Sequence, residues 1–128
     1  MEIQEISRAR AIDALQGAAL CDPVGIATAA DLVRNGTPFA LDCADGQAVF
    51  TARVEHSERG AVLWIDGAQN LGPVGVLQVG LELAAEMARQ SDCDAVAFET
   101  NRVGLVRAAQ AHGYEIVGYV MKKAVNHG

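Results

Sequence analysis

Aromatic side chains are scarce, at 5% of 128 residues, so the core must be built mainly from Ala, Val, Leu and Ile. Positive charge is scarce as well. Ten Lys and Arg face 16 Asp and Glu, the net charge is −6, and Lys122-Lys123 is the sole adjacent basic pair. A nucleic-acid reader needs a basic face, which excludes that class of partner. The acidic balance instead weakly attracts cationic substrates such as amines. Cys21, Cys43 and Cys93 are odd in number and lack a C-x-x-C spacing, which argues against a disulfide framework or a metal site. They read as small buried thiols in a reducing cytosol. His56, His112 and His127 lie far apart, so neither a metal nor a histidine nucleophile is expected. There is no G-x-S-x-G elbow and no P-loop. MEIQEISRAR holds no apolar targeting segment. The longest apolar-rich run, Leu71 to Ala88, carries Gln78, Glu82 and Glu86 and fails as a membrane span. A cytoplasmic protein with no membrane partner is expected.

What is present suits one domain covering 1–128: hydrophobic residues make up 51% and charged residues 20%. A short strand is expected over Met1 to Ser7. Ile12, Leu15 and Ala19 then repeat at helical spacing within Arg8 to Leu20. Asp22-Pro23 reads as an N-cap and first helical residue, opening a second helix that stops at Asn35-Gly36. Phe39 to Cys43, Ala48 to Glu55 and Ala61 to Asp66 read as strands. The turn signals Ala44-Asp45-Gly46 and His56 to Gly60 separate them. A long helix follows, about Pro73 to Ser91, whose polar residues Gln78, Glu82, Glu86, Arg89 and Gln90 form one stripe. Ala95 to Glu99 is a strand, and Thr100 or Asn101 can cap a helix over Arg102 to His112. Gly113 is a left-handed stop, and Tyr114 to Lys123 is expected as the last strand. The fold class is mixed α/β, an α+β mixed sheet: N-terminal helices, an antiparallel meander, then an αβαβ finish.

A strand leading through Gln69-Asn-Leu-Gly-Pro-Val-Gly75 into a long helix makes an anion site, because free amides and the positive helix end converge on the turn. The order strand, glycine turn, helix, strand, helix, Gly113-Tyr114, strand resembles the acyl-CoA-binding core of the GNAT N-acetyltransferase superfamily. By element order the resemblance covers nearly the whole chain; by residue pattern it covers about Ala61 to Lys123. It implies acetyl-CoA, or another acyl-CoA, as cosubstrate and a central V-shaped strand pair. The family turn is Gln/Arg-x-x-Gly-x-Gly/Ala. Here Gln69 and Gly72 fill the first two marked places, Val74 departs from the third, and Gly75 comes one step late. The resemblance points to the amides of Leu71, Gly72, Val74, Gly75 and Val76 for the pyrophosphate, with Gln69 beside them. Pro73 has no N–H to offer. Asn101 is a pantetheine contact or a helix cap. A backbone N–H near Ile65 to Ala68 would polarise the thioester.

The same resemblance implies a primary amine as acceptor, a small molecule or a peptide, attacking directly in a ternary complex. Asp66 and Glu99 are the candidate bases at strand ends, and Glu55 in the preceding strand is a third. Many family members carry a general-acid Tyr four residues before the Gly-Phe/Tyr pair. That position is Ala109 here, which leaves Tyr114 as the substitute. Asp66 before Gly67 also reads as an ordinary turn residue, and Tyr114 as core packing. The rival is a non-catalytic member of the same fold, a CoA binder or an assembly module, favoured by Val74 and Ala109. The last strand and the Ala95 to Glu99 region leave a sheet edge that needs cover, which points to a homodimer.

Overall fold

A computed structural model describes residues 2–44, 46–72 and 76–128. The elements are β1 (Glu2–Glu5), α1 (Arg8–Ala14), a 3₁₀ turn (Ala18–Cys21), α2 (Ala29–Val33), β2 (Thr37–Cys43), β3 (Gly46–Ser57), β4 (Gly60–Leu71), α3 (Leu77–Gln90), β5 (Ala95–Ala97) and α4 (Val103–Ala111). The strands form one five-stranded sheet in the order β1-β2-β3-β4-β5. Neighbours from β1 to β4 are antiparallel, and β5 joins β4 in parallel. The mixed α/β fold expected from the sequence is therefore present, with the parallel neighbours where α3 crosses from β4 to β5.

Alternation along the strands decides which layer each side chain meets. Ala40 and Val49 turn to one face and join Ala11, Leu15, Ala18, Ala29 and Val33 of the N-terminal helical segments. Their neighbours Leu41, Ala48 and Phe50 turn to the other face with Ala52, Leu63, Val76 and Ala88, beneath α3. The sheet is thus covered on both sides. The polar stripe of α3 is exposed at each of Gln78, Glu82, Glu86, Arg89 and Gln90. Burying a Leu such as Leu15, fully inaccessible in the first cluster, contributes about 1.5–3 kcal/mol.

Four local expectations are revised. The second helix does not start at Pro23. Asp22 instead wraps the loop after it, accepting from the amides of Val24, Gly25, Ile26 and Ala27 at 3.2, 3.1, 3.0 and 2.9 Å. The helix begins only at Ala29, where Thr28 and Asp31 form a reciprocal capping box. Satisfying the amides through one carboxylate removes the need for helical bonds in that stretch.

The first helix is likewise shorter than the expected Arg8 to Leu20. It ends at Ala14, and a separate 3₁₀ turn follows beyond Gly17.

β4 runs on past Asp66 to Leu71, so Gln69 is a strand residue opposite Val49 instead of a loop residue. β3 is long enough to pair with this extension.

Tyr114 to Lys123, expected as the last strand, has no ladder partner among the described residues. The stop before it does form: Gly113 has φ 86°, its amide reaches Gln110, and the Tyr114 amide reaches Ala109. This pairing is a Schellman closure of α4.

Four expectations rest partly on residues outside the described set: Met1 of the first strand, Asp45 of the hairpin turn, Pro73, Val74 and Gly75 of the phosphate turn, and the same three at the expected start of the long helix. Among the described residues no helix is long and apolar enough to cross a membrane.

Candidate active site

β4 and β5 pair only over Val62 to Trp64 and Ala95 to Ala97. Beyond Trp64, β4 continues to Leu71 held by β3 alone, while the chain after β5 turns away through Phe98 and Glu99. The pairing of the two strands stops at Trp64 and Ala97, and the residues beyond it on both sides line one opening. A cleft of about 860 Å³ fills the opening. One wall is Ile65 to Asn70 of β4, the second is α3 through Leu77, Gly80 and Leu81, and the third is the loop at Asp22 and Pro23.

A β-bulge shapes the β4 wall. Thr51 opposes Gly67 and Ala52 opposes Ile65, so Asp66 is the extra residue. It is therefore not the turn residue that its place before Gly67 suggests. Gly67 is packed closely: a Cβ there would lie 2.9 Å from Leu32 Cδ1 and 3.3 Å from Leu32 Cβ. Thr51, fully buried beside the bulge, donates its hydroxyl to the Leu32 carbonyl at 3.0 Å. Both contacts pin α2 to the strand pair at the position where the cleft opens.

Asp66 lines the cleft with Arg53 and Trp64. The Arg53 Nε donates to Asp66 Oδ2 at 2.6 Å, and the guanidinium carbon sits 5.5 Å from the centre of the Trp64 ring. Trp64 Nε1 donates to Glu55 Oε2 at 2.6 Å, and Arg53 Nη1 lies 3.8 Å from the same oxygen. Two carboxylates, one guanidinium and one indole thus form a connected cluster on adjacent strands. Arg53 and Trp64 were not singled out from the sequence. The available signal was that Arg53 and Glu55 share one face of an alternating strand.

Glu99 also lines the cleft, just beyond β5. It is exposed, and among the described residues it takes no hydrogen-bond or ion-pair partner.

The other candidates have defined positions. Tyr114 donates its hydroxyl to the Leu81 carbonyl at 2.9 Å and tilts its ring against Phe98 at 5.6 Å. Burial pushes its pKa above 10.0, so the phenol keeps its proton at neutral pH. Ala109 is buried. Asn101 fastens the start of α4 to the 3₁₀ turn: its Nδ2 donates to Leu20 at 3.0 Å and its amide to Cys21 at 3.1 Å. Neither Thr100 nor Asn101 caps α4, whose N-cap is Arg102 without a side-chain bond; Thr100 Oγ1 accepts from the Arg102 amide ahead of the helix at 3.1 Å.

At the far end of the cleft, Ile65 and Val76 pack into the α3-side core and Leu71 into the other. Gly72 has φ 107°, with nothing within 4 Å of where a Cβ would stand. Asn70 Oδ1 accepts from the Val76 amide at 3.3 Å, tying the end of β4 to the start of α3. Gln69 stands near Gly17, where a Cβ would approach its Oε1 to 2.7 Å. Val74 and Gly75 lie outside the described residues.

An acyl-CoA would need open backbone and free amides at this end. Gly72 and Gly80 both leave space where a side chain would otherwise intrude, and the first-turn amides of α3 have no intrahelical acceptor. The residues present fit such a ligand. Among the described residues no three His, Cys, Asp or Glu side chains gather as a metal site.

No family model matches this chain, and no curated protein matches it. Solved structures do. The wild-type TTHA1254 protein of Thermus thermophilus superposes with a TM-score of 0.60 at 18% identity, over 100% of this chain and 99% of that one. A point mutant of the same protein gives 0.62, also at 18% identity, over 100% and 99%. Glucosamine-6-phosphate N-acetyltransferase from Arabidopsis thaliana gives 0.59 at 12% identity, over 98% of each chain. At these identities the likeness is one of fold alone: the chain shares the fold of these solved structures, one of them an N-acetyltransferase.

Proposed function

We propose that the protein transfers an acyl group, acetyl in the simplest case, from CoA to a primary amine. The observation that carries this reading is the opened β4–β5 pair, whose bulged strand leads through left-handed Gly72 to the N-terminal end of α3. The pyrophosphate would rest on the α3 first-turn amides and the turn amides of Leu71, Gly72, Val74 and Gly75, with Gln69 at its side; the Val76 amide is already engaged by Asn70 Oδ1 and is not offered. The thioester would lie along β4, its carbonyl taking a hydrogen bond from a backbone N–H near Ile65 to Ala68. Asn101 contributes by holding the α4 end of the cleft closed on the 3₁₀ turn, near the pantetheine path.

The acceptor enters from the Asp66–Glu99 side. Glu99 is the better placed base, because Asp66 already accepts from Arg53. The amine nitrogen attacks the carbonyl carbon, a C–N bond forms, the C–S bond breaks, and the nitrogen's surplus proton passes to Glu99. The departing thiolate takes a proton from solvent, since the Tyr114 hydroxyl is directed at Leu81. Orientation and carbonyl polarisation carry most of the rate, as the thioester is already activated. The chain would work as a single domain over 1–128.

Thermal unfolding with acetyl-CoA, free CoA and ATP tests the cofactor half. At ~100 times its dissociation constant a ligand adds ~2.7 kcal/mol, and a shift with both CoA species but not ATP is expected. Free-thiol release across an amine panel tests turnover, with Glu99→Gln expected to lower the rate by about 10²-fold or more. A second reading, a CoA binder without turnover, is favoured by Ala109 in the core and by the engaged hydroxyl of Tyr114. Stabilisation by acetyl-CoA with no thiol release from any amine would establish it.

A further inference from the structure

A bulge leaves its extra residue outside the strand ladder, so contacts other than strand pairing must hold it. In β4 that residue is Asp66. Packing fixes the bulge on its Gly67 side: Gly67 lies against Leu32, and the Thr51 hydroxyl donates to the Leu32 carbonyl at 3.0 Å. Side chains fix it on the Ile65 side. Arg53 stands opposite Trp64 in the β3–β4 register, two residues before Asp66. Its Nε reaches along to Asp66 Oδ2 at 2.6 Å, a charged diagonal pair across the two strands.

The guanidinium has little freedom to swing. Its carbon sits 5.5 Å from the centre of the Trp64 ring, and Trp64 Nε1 is in turn bonded to Glu55 Oε2 at 2.6 Å. A planar fork seated on a ring and bonded at one end keeps a fixed direction, which a lysine ammonium cannot copy.

The other charges of the cleft bear on the same point. Its carboxylates are Asp22, Asp31, Asp66 and Glu99, and its cations are Arg53 and Arg102. Asp22 accepts from four loop amides, and Asp31 from Thr28 and Arg34. Asp66 accepts from Arg53. Among the described residues Glu99 is the lining carboxylate left without such a bond, and it is exposed.

We propose that Asp66 is a strut and not a base: Arg53 and Asp66, seated on Trp64, are positioning residues that hold the β4 bulge where its backbone N–H can meet the thioester carbonyl. The inference rests on the acyl-transfer reading and assigns Asp66 no proton in it. The amine's proton goes to Glu99, and the Arg53–Asp66 bond stays closed throughout.

Steady-state kinetics with acetyl-CoA varied at saturating amine test this. Asp66→Ala and Arg53→Lys are each expected to lower kcat by about 10²-fold, the cost of roughly 1 Å of misplacement, with KM for acetyl-CoA unchanged. Asp66→Asn keeps an oxygen for the Arg53 Nε and is expected to lose less than about 10-fold. The acidic limb of the kcat/KM–pH profile should persist in Asp66→Asn and vanish in Glu99→Gln. Asp66→Asn is nearly isosteric, so it keeps the test open if either of the other two variants fails to fold. Equal losses in Asp66→Ala and Asp66→Asn, with the acidic limb gone from both, would make Asp66 the base and overturn the proposal. Arg53→Lys at the wild-type rate would overturn it too, because charge alone would then suffice. So would a change confined to KM, since the pair would then bind and not position. With an active wild type these results sink this inference alone. A wild type that releases no thiol with any amine removes the transferase reading and this inference with it.

Discussion

Replacing Thr51 by Val changes one buried hydroxyl into a methyl and little else. Thr51 is fully inaccessible, and its Oγ donates to the Leu32 carbonyl at 3.0 Å. That carbonyl lies in the last turn of α2, where helix carbonyls lack intrahelical partners. Volume and β-branching are conserved in Thr51→Val, so packing against the sheet is kept. The loss is the hydrogen bond plus the cost of an unpaired carbonyl, about 1–3 kcal/mol for a buried group. The pair is part-buried, which puts the effect in the lower half, about 1–2 kcal/mol. Unfolding entropy near 2.1 cal/mol/K per residue gives about 0.27 kcal/mol/K for 128 residues, hence a fall in Tm of about 4–7 °C. Calorimetry of the two proteins measures it. Hydrogen exchange should show the loss concentrated in α2, the element this bond pins to β3. An unchanged or raised Tm would refute the reasoning, because the added apolar group would then outweigh the orphaned carbonyl.

Gly67→Leu, beside the bulge, forces Leu32 aside from a contact already 2.9 Å for a bare Cβ. Overpacking of about 1–3 kcal/mol or more is expected, read as a lower midpoint in urea at unchanged m-value. Gly72→Ala meets no atoms but must hold φ 107°, so about 1–2 kcal/mol of backbone strain should appear in the same assay. Arg53→Ala frees Asp66 and uncovers Trp64 and should shift the fluorescence of this lone tryptophan; an identical spectrum would mean the guanidinium does not rest there. The Asp22 carboxyl is held below its ordinary 3.8, first by the Ala27 amide and, against the opposing effect of burial, by those of Ile26, Val24 and Gly25. Its stabilising effect is therefore present above pH 3.8 and lost as pH falls through the lower folded value. Asp22→Asn should lower Tm at neutral pH, with the gap to wild type closing in acid; a gap independent of pH would mean the charge is not what the loop uses.

Local chemistry was legible wherever neighbours in sequence are the partners. The α3 stripe follows from periodicity, and Gly113 closes α4 because a left-handed residue is needed beside it. Asp22-Pro23 places the expected helix start too early, and the cap that the fold uses is Thr28 with Asp31. Both are plausible caps by residue type, and only the fold directs the Asp22 carboxylate to loop amides. The glycine turn and the cleft-lining Asp66 and Glu99 could be named from the sequence. The Arg53–Asp66–Trp64–Glu55 cluster could not, because it depends on cross-strand register and on a bulge that shifts it by one residue.

Element order from β1 to α4 and the parallel crossover were already written in the chain. Each of these follows from hydrophobic period, turn residues and caps acting within a few positions of one another. Long-range packing set the rest: how far β4 runs, where its pairing with β5 ends, that Asp66 lies next to Arg53 and that Glu99 is exposed at the cleft. It also left Tyr114 to Lys123, a strand by composition, unpaired among the described residues. A strand is defined by the edge it meets, and no local pattern records whether that edge is present.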